Sequence, residues 1–120
     1  MKLKIVCLGN EFVEGDSFAK EIGVLLSDEF EIVNVKDSFE LMGIVSSGEP
    51  FVILDVVRGL ENVRELEVGD LRVDSLKSAH DFDAAYILKL MGVSPRIIGI
   101  PMSGDALKIG DEVLGLIWKG

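Results

Sequence analysis

The sequence predicts an α/β fold: a three-layer αβα sandwich around a mostly parallel central sheet of about five strands. Apolar segments with strand character alternate with amphipathic segments of helical periodicity along all 120 residues. No linker, repeat or low-complexity stretch interrupts this alternation, and apolar residues make up 48% of the chain. We therefore expect one domain over residues 1–120, with a core of its own.

Most of the strands are predicted from short, nearly continuous apolar runs, which are typical of strands buried on both faces. The strand at 30–35 is predicted from alternation of polar and apolar residues. The third run stops at Asp55, and a later run alternates polar and apolar residues, which indicates a more exposed strand. The segment 69–77 that follows is expected to be a loop. The predicted strands are residues 2–8, 30–35, 51–54, 62–68 and 96–100.

The helices are predicted from apolar residues spaced three and four apart, such as Phe18, Ile22 and Leu25. Asp37 or Ser38 is expected to cap the second helix, and Gly92 to end the third. The apolar stripe of the second helix is expected to contain Phe39, Leu41, Met42 and Val45. The predicted helices are residues 17–27, 37–47, 79–91 and a short final helix over 111–118.

Charge and composition narrow the class of partner. The chain carries 21 acidic and 12 basic residues, a formal net charge of −9. This charge argues against nucleic acid or an anionic membrane as the partner, and it suits a cation or a basic peptide. No apolar run reaches the roughly 18 residues of a membrane span. The N-terminus resembles a strand and not a signal peptide, so we expect a cytoplasmic protein.

Polar residues with metal-binding chemistry follow the predicted strands. Asp16 comes after the first strand, Asp55 ends the third, and His80, the only histidine, begins the third helix. Ligands of parallel α/β folds bind beyond the carboxyl ends of the strands. Two carboxylates and one imidazole suit zinc, nickel, manganese or iron and leave coordination positions open.

Each of these residues also has a simpler interpretation. Asp16 precedes a helix and would serve as its N-cap, and Asp55 would accept backbone N–H groups at a turn. His80 would be a solvated residue of the first helical turn, because Ser78 and Asp81 have the spacing of a capping box. The positive end of a helix favours neutral imidazole, which is the form that binds metal.

Four segments together resemble the hydrogenase maturation endopeptidases. The first has a strand, the pair Gly9-Asn10 and an acidic residue before a helix; the second is the strand that ends in Asp55. The third is Ser78-Ala79-His80 at the start of a helix, and the fourth is the late strand in 95–101. The resemblance covers nearly the whole chain in the same order, so it predicts a hydrogenase-maturation-protease-like domain.

This resemblance implies an endopeptidase that removes a C-terminal extension from the precursor of a [NiFe]-hydrogenase large subunit. Asp16, Asp55 and His80 would contact the metal, and both aspartates would also be catalytic. The metal would be nickel presented by the substrate, with no resident metal required at rest. Hydrolysis would use the metal as a Lewis acid or an aspartate as a base. The substrate-binding residues would be Asn10, Phe12 and Val56.

Two other functions stay open. Gly15 replaces the first member of an acidic pair that the family usually has, and Val56-Val57 replaces part of a glycine-rich turn. These differences allow a non-catalytic module that binds metal or a precursor tail. Asp55 at a strand end would also suit the phosphoacceptor of a receiver domain, although Gly9-Asn10 stands where that family has its acidic pair. Cys7 lies inside a strand and is expected to be a small buried residue, not a nucleophile.

Overall fold

The computed structural model describes residues 2–8, 18–57, 59–68 and 84–119. Strands and helices alternate along these residues, as the sequence predicts. The strands are β1 (Lys4–Leu8), β2 (Glu31–Val35), β3 (Phe51–Val56), β4 (Arg64–Leu66) and β5 (Arg96–Ile100). The helices are α1 (Phe18–Leu26), α2 (Ser38–Ser46), α3 (Ala84–Leu90) and α4 (Ala106–Lys119).

The described strands form one five-stranded sheet with the order β2-β1-β3-β5-β4. β2, β1, β3 and β5 are parallel, and β4 is antiparallel to β5 at one edge. The predicted α/β class and mostly parallel sheet are therefore confirmed. β3 ends at Val56, two residues past the predicted strand 51–54, so Asp55 lies within the strand and not beyond it.

The core has two layers, one on each face of the sheet. On one face α1 and α4 cover a cluster that includes Ile5, Cys7 and Leu54. On the other face α2 and α3 cover a cluster that includes Val6, Ile53 and Ile97. Side chains of a strand point alternately to the two faces, so each central strand supplies residues to both layers.

The boundaries of the helices follow from local hydrogen bonds. Asp37 caps α2, because its carboxylate accepts the Glu40 backbone N–H at 2.9 Å, as predicted. Gly92 ends the turn after α3 with a φ of 72°, a conformation that glycine adopts at little cost. The predicted start of α3 near residue 79 lies outside the described residues. No helix in the described part of the chain is both long enough and apolar enough for a bilayer crossing.

Two predictions about helices are wrong. The final helix has 14 residues and begins at Ala106, because the Asp105 carboxylate accepts the Leu107 N–H at 3.1 Å and forms the missing cap. Phe39 is 83% exposed and does not join the buried stripe of α2. Phe39 lies two residues, roughly 200° of rotation, before the buried Leu41, so the two side chains lie on nearly opposite sides of the helix.

Candidate functional site

Asp55 is the predicted site residue that the structure places most clearly. It lies near the carboxyl end of β3, the middle strand of the sheet, and is 1% exposed. Its neighbours in sequence on the same face are Ile53 and Val57, which belong to the core layer under α2 and α3. The strand alternation therefore directs the Asp55 carboxylate to that face. A carboxylate buried in this way requires polar or cationic partners.

The residue beside Asp55 on β5 is Gly99, which is its register partner in the parallel ladder. A Cβ atom at Gly99 would lie 2.9 Å from Leu66 Cδ1 and 3.2 Å from Val57 Cγ2. Only glycine fits here without movement of these side chains. The space beside Asp55 that a side chain at position 99 of β5 would occupy is thus bordered by the apolar side chains of Leu66 and Val57.

The negative charge of Asp55 also acts on Cys7, whose strand pairs with β3 in parallel. Burial, and then the charge of Asp55, raise the pKa of the Cys7 thiol to about 12. The thiol is therefore protonated at neutral pH, and Cys7 is fully buried. The prediction that Cys7 is a buried core residue is confirmed.

The predicted substrate-binding residue Val56 follows Asp55 on β3 and is 2% exposed. Its side chain lies in the core layer under α1 and α4. Any contact of Val56 with a substrate would therefore come through its backbone. The predicted partners Asp16, His80, Asn10 and Phe12 lie outside the described residues, so their positions relative to Asp55 stay predictions.

The elements that flank these partners in sequence are described. α3 begins at Ala84, four residues after His80, and contributes Ala84 and Leu88 to the same core layer that Asp55 faces. β1 ends at Leu8 on the carboxyl side of the parallel sheet, and α1 begins at Phe18. Among the described residues no three potential metal ligands come together, as expected when Asp55 is the one predicted ligand they contain.

Gly99 was not predicted as a neighbour of the site. The available indication was a glycine within an otherwise apolar strand, Arg96–Ile100, which often marks a close approach of other groups. The residues that approach it, Leu66 and Val57, belong to other strand segments and are not identifiable from the local pattern.

The fold defines the class as a three-layer α/β protein with a buried acid near the carboxyl end of the central strand. Its structure is similar to that of the [NiFe] hydrogenase maturation protease HybD from Thermococcus kodakarensis, with a TM-score of 0.60 and 22% identity over 99% of this chain and 97% of that one.

A second similar structure is an uncharacterized protein from Wolinella succinogenes, with a TM-score of 0.55 and 19% identity over 99% of this chain and 96% of that one. At these identities the similarity establishes the fold. No protein-family model matches the chain, and a search of curated proteins finds no match.

Proposed function

We propose that this chain is an endopeptidase that removes a C-terminal extension from the precursor of a [NiFe]-hydrogenase large subunit. The observation that carries this proposal is the buried Asp55 near the carboxyl end of β3, within a fold similar to that of a hydrogenase maturation protease over nearly the full length of both chains. The ordered sequence motifs that contain Asp16, Asp55 and His80 support it independently.

In this proposal Asp16, Asp55 and His80 bind nickel that the precursor already carries. Nickel is thus part of the substrate, and the protease cleaves only a precursor that carries nickel. A buried carboxylate suits this task, because desolvation makes an uncompensated negative charge costly and so favours a nearby cation. An imidazole and carboxylates also match the ligand preferences of a divalent transition metal.

The chemical step is peptide hydrolysis. Nickel held by the three residues would polarise the scissile carbonyl, and an aspartate would accept a proton from the attacking water. Asp55 is proposed as a ligand more than as a base, since it is enclosed by the sheet and a base must exchange protons with solvent. The proposed protein is cytoplasmic and acts as a monomer on its larger partner.

The test is release of the C-terminal fragment from nickel-loaded precursor, measured by mass spectrometry. Wild-type protein is expected to cleave nickel-loaded precursor and not nickel-free precursor. Asp16→Ala, Asp55→Asn and His80→Ala should each lower the rate by about 10- to 100-fold or more. Asp111→Asn, at an exposed position on α4, is the matched control and should cleave normally.

The same assay separates the alternatives. Tight binding of the precursor without cleavage would replace the protease by a non-catalytic binding module. Equal cleavage with and without nickel would remove the metal-sensing role. The receiver-domain alternative predicts labelling of Asp55 by acetyl phosphate, and the burial of Asp55 and the antiparallel β4 both count against it.

A further inference from the structure

The outer edge of β2 is free within the described sheet. β2 is the last strand on its side, and no other described strand pairs with its outer edge. The Glu31 N–H donates to the Leu3 carbonyl on the β1 side at 2.9 Å. Backbone groups alternate in direction along a strand, so the N–H and C=O groups of Ile32 and Asn34 point away from the sheet. This edge can therefore accept one more strand.

The side chains of the same two residues line a groove. Ile32 and Asn34 form one wall, and the other wall is built by α1; the groove has a volume of about 210 Å³. A volume of this size accommodates one side chain of moderate length. An extended segment that pairs with the backbone of β2 would thus place alternate side chains over the groove. The lining residues from α1 are Lys20, Gly23, Val24 and Ser27.

One wall of the groove contains a residue without a side chain, Gly23. Gly23 lies in the middle of α1, where glycine costs about 1 kcal/mol relative to alanine. A Cβ atom at Gly23 would meet nothing within 4 Å, so packing of the described chain does not require glycine here. The position is open space in a wall of the groove, and a larger residue would fill it.

Asn34 supplies a polar group that needs a partner. Its Oδ1 atom is buried, and no described residue donates a hydrogen bond to it. Rotation of the carboxamide would turn this oxygen towards the groove, where a ligand with an N–H or O–H group would satisfy it. The cation of Lys20, which also lines the groove, disfavours a cationic side chain at this position. The chemistry fits a neutral donor such as an amide or a hydroxyl.

The groove is level with the proposed site. Asn34 of β2 pairs with Cys7 of β1, and Cys7 pairs with Leu54 of β3, so Asn34 lies one residue before the level of Asp55. Strands in a sheet are about 4.8 Å apart, so a strand added beside β2 would lie about 14 Å from β3. An extended chain rises about 3.3 Å per residue, so four or five further residues would span the distance to β3. The segment would then cross the carboxyl edge of the sheet to the face under α2 and α3, to which the Asp55 carboxylate is directed.

From this arrangement we propose that the edge of β2 binds an extended segment of the protein substrate, which adds a strand to the sheet and inserts a neutral hydrogen-bonding side chain beside Asn34. The inference rests on the proposed function for the identity of the partner. A second copy of this chain is disfavoured as the occupant, because two molecules with a net charge of −9 repel each other.

The discriminating substitution is Gly23→Leu, which fills the groove and raises the helix propensity of α1. Gly43→Leu is the matched control: Gly43 is also a helical glycine with nothing within 4 Å of its Cβ position, but it is exposed on α2, on the opposite face of the sheet. Both variants should melt at or above the wild-type temperature, so a loss of binding by Gly23→Leu alone is not a loss of folding.

The first measurement uses the nickel-loaded precursor. Gly23→Leu should raise KM by about tenfold or more and leave kcat within about twofold, because it removes binding away from the reacting bond. Gly43→Leu should leave both constants unchanged. Cleavage with an unchanged KM in Gly23→Leu would overturn the docking edge and leave the proposed protease in place.

The second measurement is independent of cleavage. A capped nine-residue peptide that alternates threonine and valine around a central glutamine is titrated into ¹⁵N-labelled protein. We expect the amide resonances of Ile32 and Asn34 to shift, the shift to disappear in Gly23→Leu, and Gly43→Leu to behave as wild type. Shifts without cleavage of any precursor would keep the docking edge and reject the protease. No shift at β2, or a shift caused by dimerisation without peptide, would overturn the inference.

Discussion

A single buried acid in the central strand of the sheet is the most informative residue of this molecule. Asp55 is 1% exposed, and among the described residues it is the one charged residue that is buried. Its burial costs free energy that a surface acid would not, and such costs are retained mainly where the group has a task. In the proposed function that task is to hold a cation.

Cys7 reports on the electrostatics around Asp55. With a pKa of about 12, only about one thiol in ten thousand is ionised at pH 8. We expect Cys7 in the native protein not to react with Ellman's reagent at that pH and to react fully after denaturation in guanidinium chloride. Rapid reaction of the native protein, measured by absorbance, would contradict both the burial of Cys7 and the proximity of the negative charge.

Gly99 should be intolerant of even one added methyl group. Gly99→Ala is expected to destabilise the protein by about 1–2 kcal/mol, because its Cβ would overlap Leu66 Cδ1 at 2.9 Å. Gly115→Ala, at an open position in α4, should be neutral or stabilising. The measurement is urea unfolding.

A double variant tests the cause. Leu66→Ala should cancel part of the cost of Gly99→Ala, since it removes the overlapping atoms. Fully additive losses in the two substitutions would show that the close contact with Leu66 is not responsible.

At the scale of elements, one arginine joins three of them. Arg96 on β5 donates to the Leu116 and Ile117 carbonyls near the end of α4, at 2.6 and 3.1 Å. It also binds both carboxylate oxygens of Glu65 on the edge strand β4, at 3.0 and 3.3 Å. This side chain satisfies carbonyls that the end of a helix leaves unpaired, and it fixes a three-residue strand against the sheet.

Arg96→Met should therefore cost more than Glu65→Gln. We expect a loss of about 1–3 kcal/mol for Arg96→Met, because two helix carbonyls lose a charged donor, and less than about 1 kcal/mol for Glu65→Gln, because that ion pair is largely exposed. Chemical denaturation of both variants measures the difference. A larger loss for Glu65→Gln would show that the ion pair, and not the helix end, is the important contact.

The same pair gives a pH dependence. The hydrogen bond from Arg96 lowers the pKa of Glu65 below its ordinary value of 4.5 in the folded protein. A depressed folded pKa contributes stability above the unfolded pKa and loses it as the pH falls through the folded pKa. The difference in melting temperature between wild type and Glu65→Gln should thus be present at neutral pH and vanish below the folded pKa. A difference that grows on acidification would refute this assignment.

Most strands of the fold are predictable from local sequence patterns, whereas one strand pairing depends on a long-range contact. Apolar runs predict β1, β3 and β5, because strands buried on both faces have few polar residues. Alternation of polar and apolar residues predicts β2. Glu65 of β4 lies only nine positions after Val56, the last residue of β3. This connection is too short for a crossover helix, so it was foreseeable that the chain reverses direction between β3 and β4. That β4 pairs with the later strand β5 was not foreseeable, because this contact spans more than thirty residues.

The candidate site likewise has one feature that the sequence predicts and others that depend on the tertiary fold. The strand that ends near Asp55 predicts a residue at the carboxyl side of the sheet, and the structure places Asp55 there, within β3 and not beyond it. The glycine requirement at Gly99 and the groove beside Gly23 depend on residues brought together by the tertiary fold, so no sequence window contains them. The start of α4 was missed because Gly110 within the helix concealed its periodicity and the cap at Asp105 went unrecognised.

The whole molecule carries a net charge of −9, which should affect its stability. At 0.01 M salt the Debye length is about 30 Å, so like charges repel each other across the whole molecule. At 0.15 M salt it is about 8 Å, and the repulsion is limited to near neighbours. We expect the melting temperature to rise between these salt concentrations, because self-repulsion is relieved.

A charge variant provides the control. Asp28→Lys combined with Glu29→Lys, both at exposed positions, should reduce the salt response because it brings the net charge to about −5. A melting temperature that falls with salt in the wild type would indicate that attractive pairs, such as Lys4 with Glu49, outweigh the repulsion.

The ring contact between Phe30 and Trp118 has a practical consequence. The two centroids are 5.6 Å apart, Phe30 directly precedes β2, and Trp118 is the one tryptophan of the chain. Its fluorescence is consequently an intrinsic optical reporter for the junction between the last helical turn and the free edge of the sheet. Emission changes at this ring would register the arrival of a partner at β2 in real time, without any attached dye.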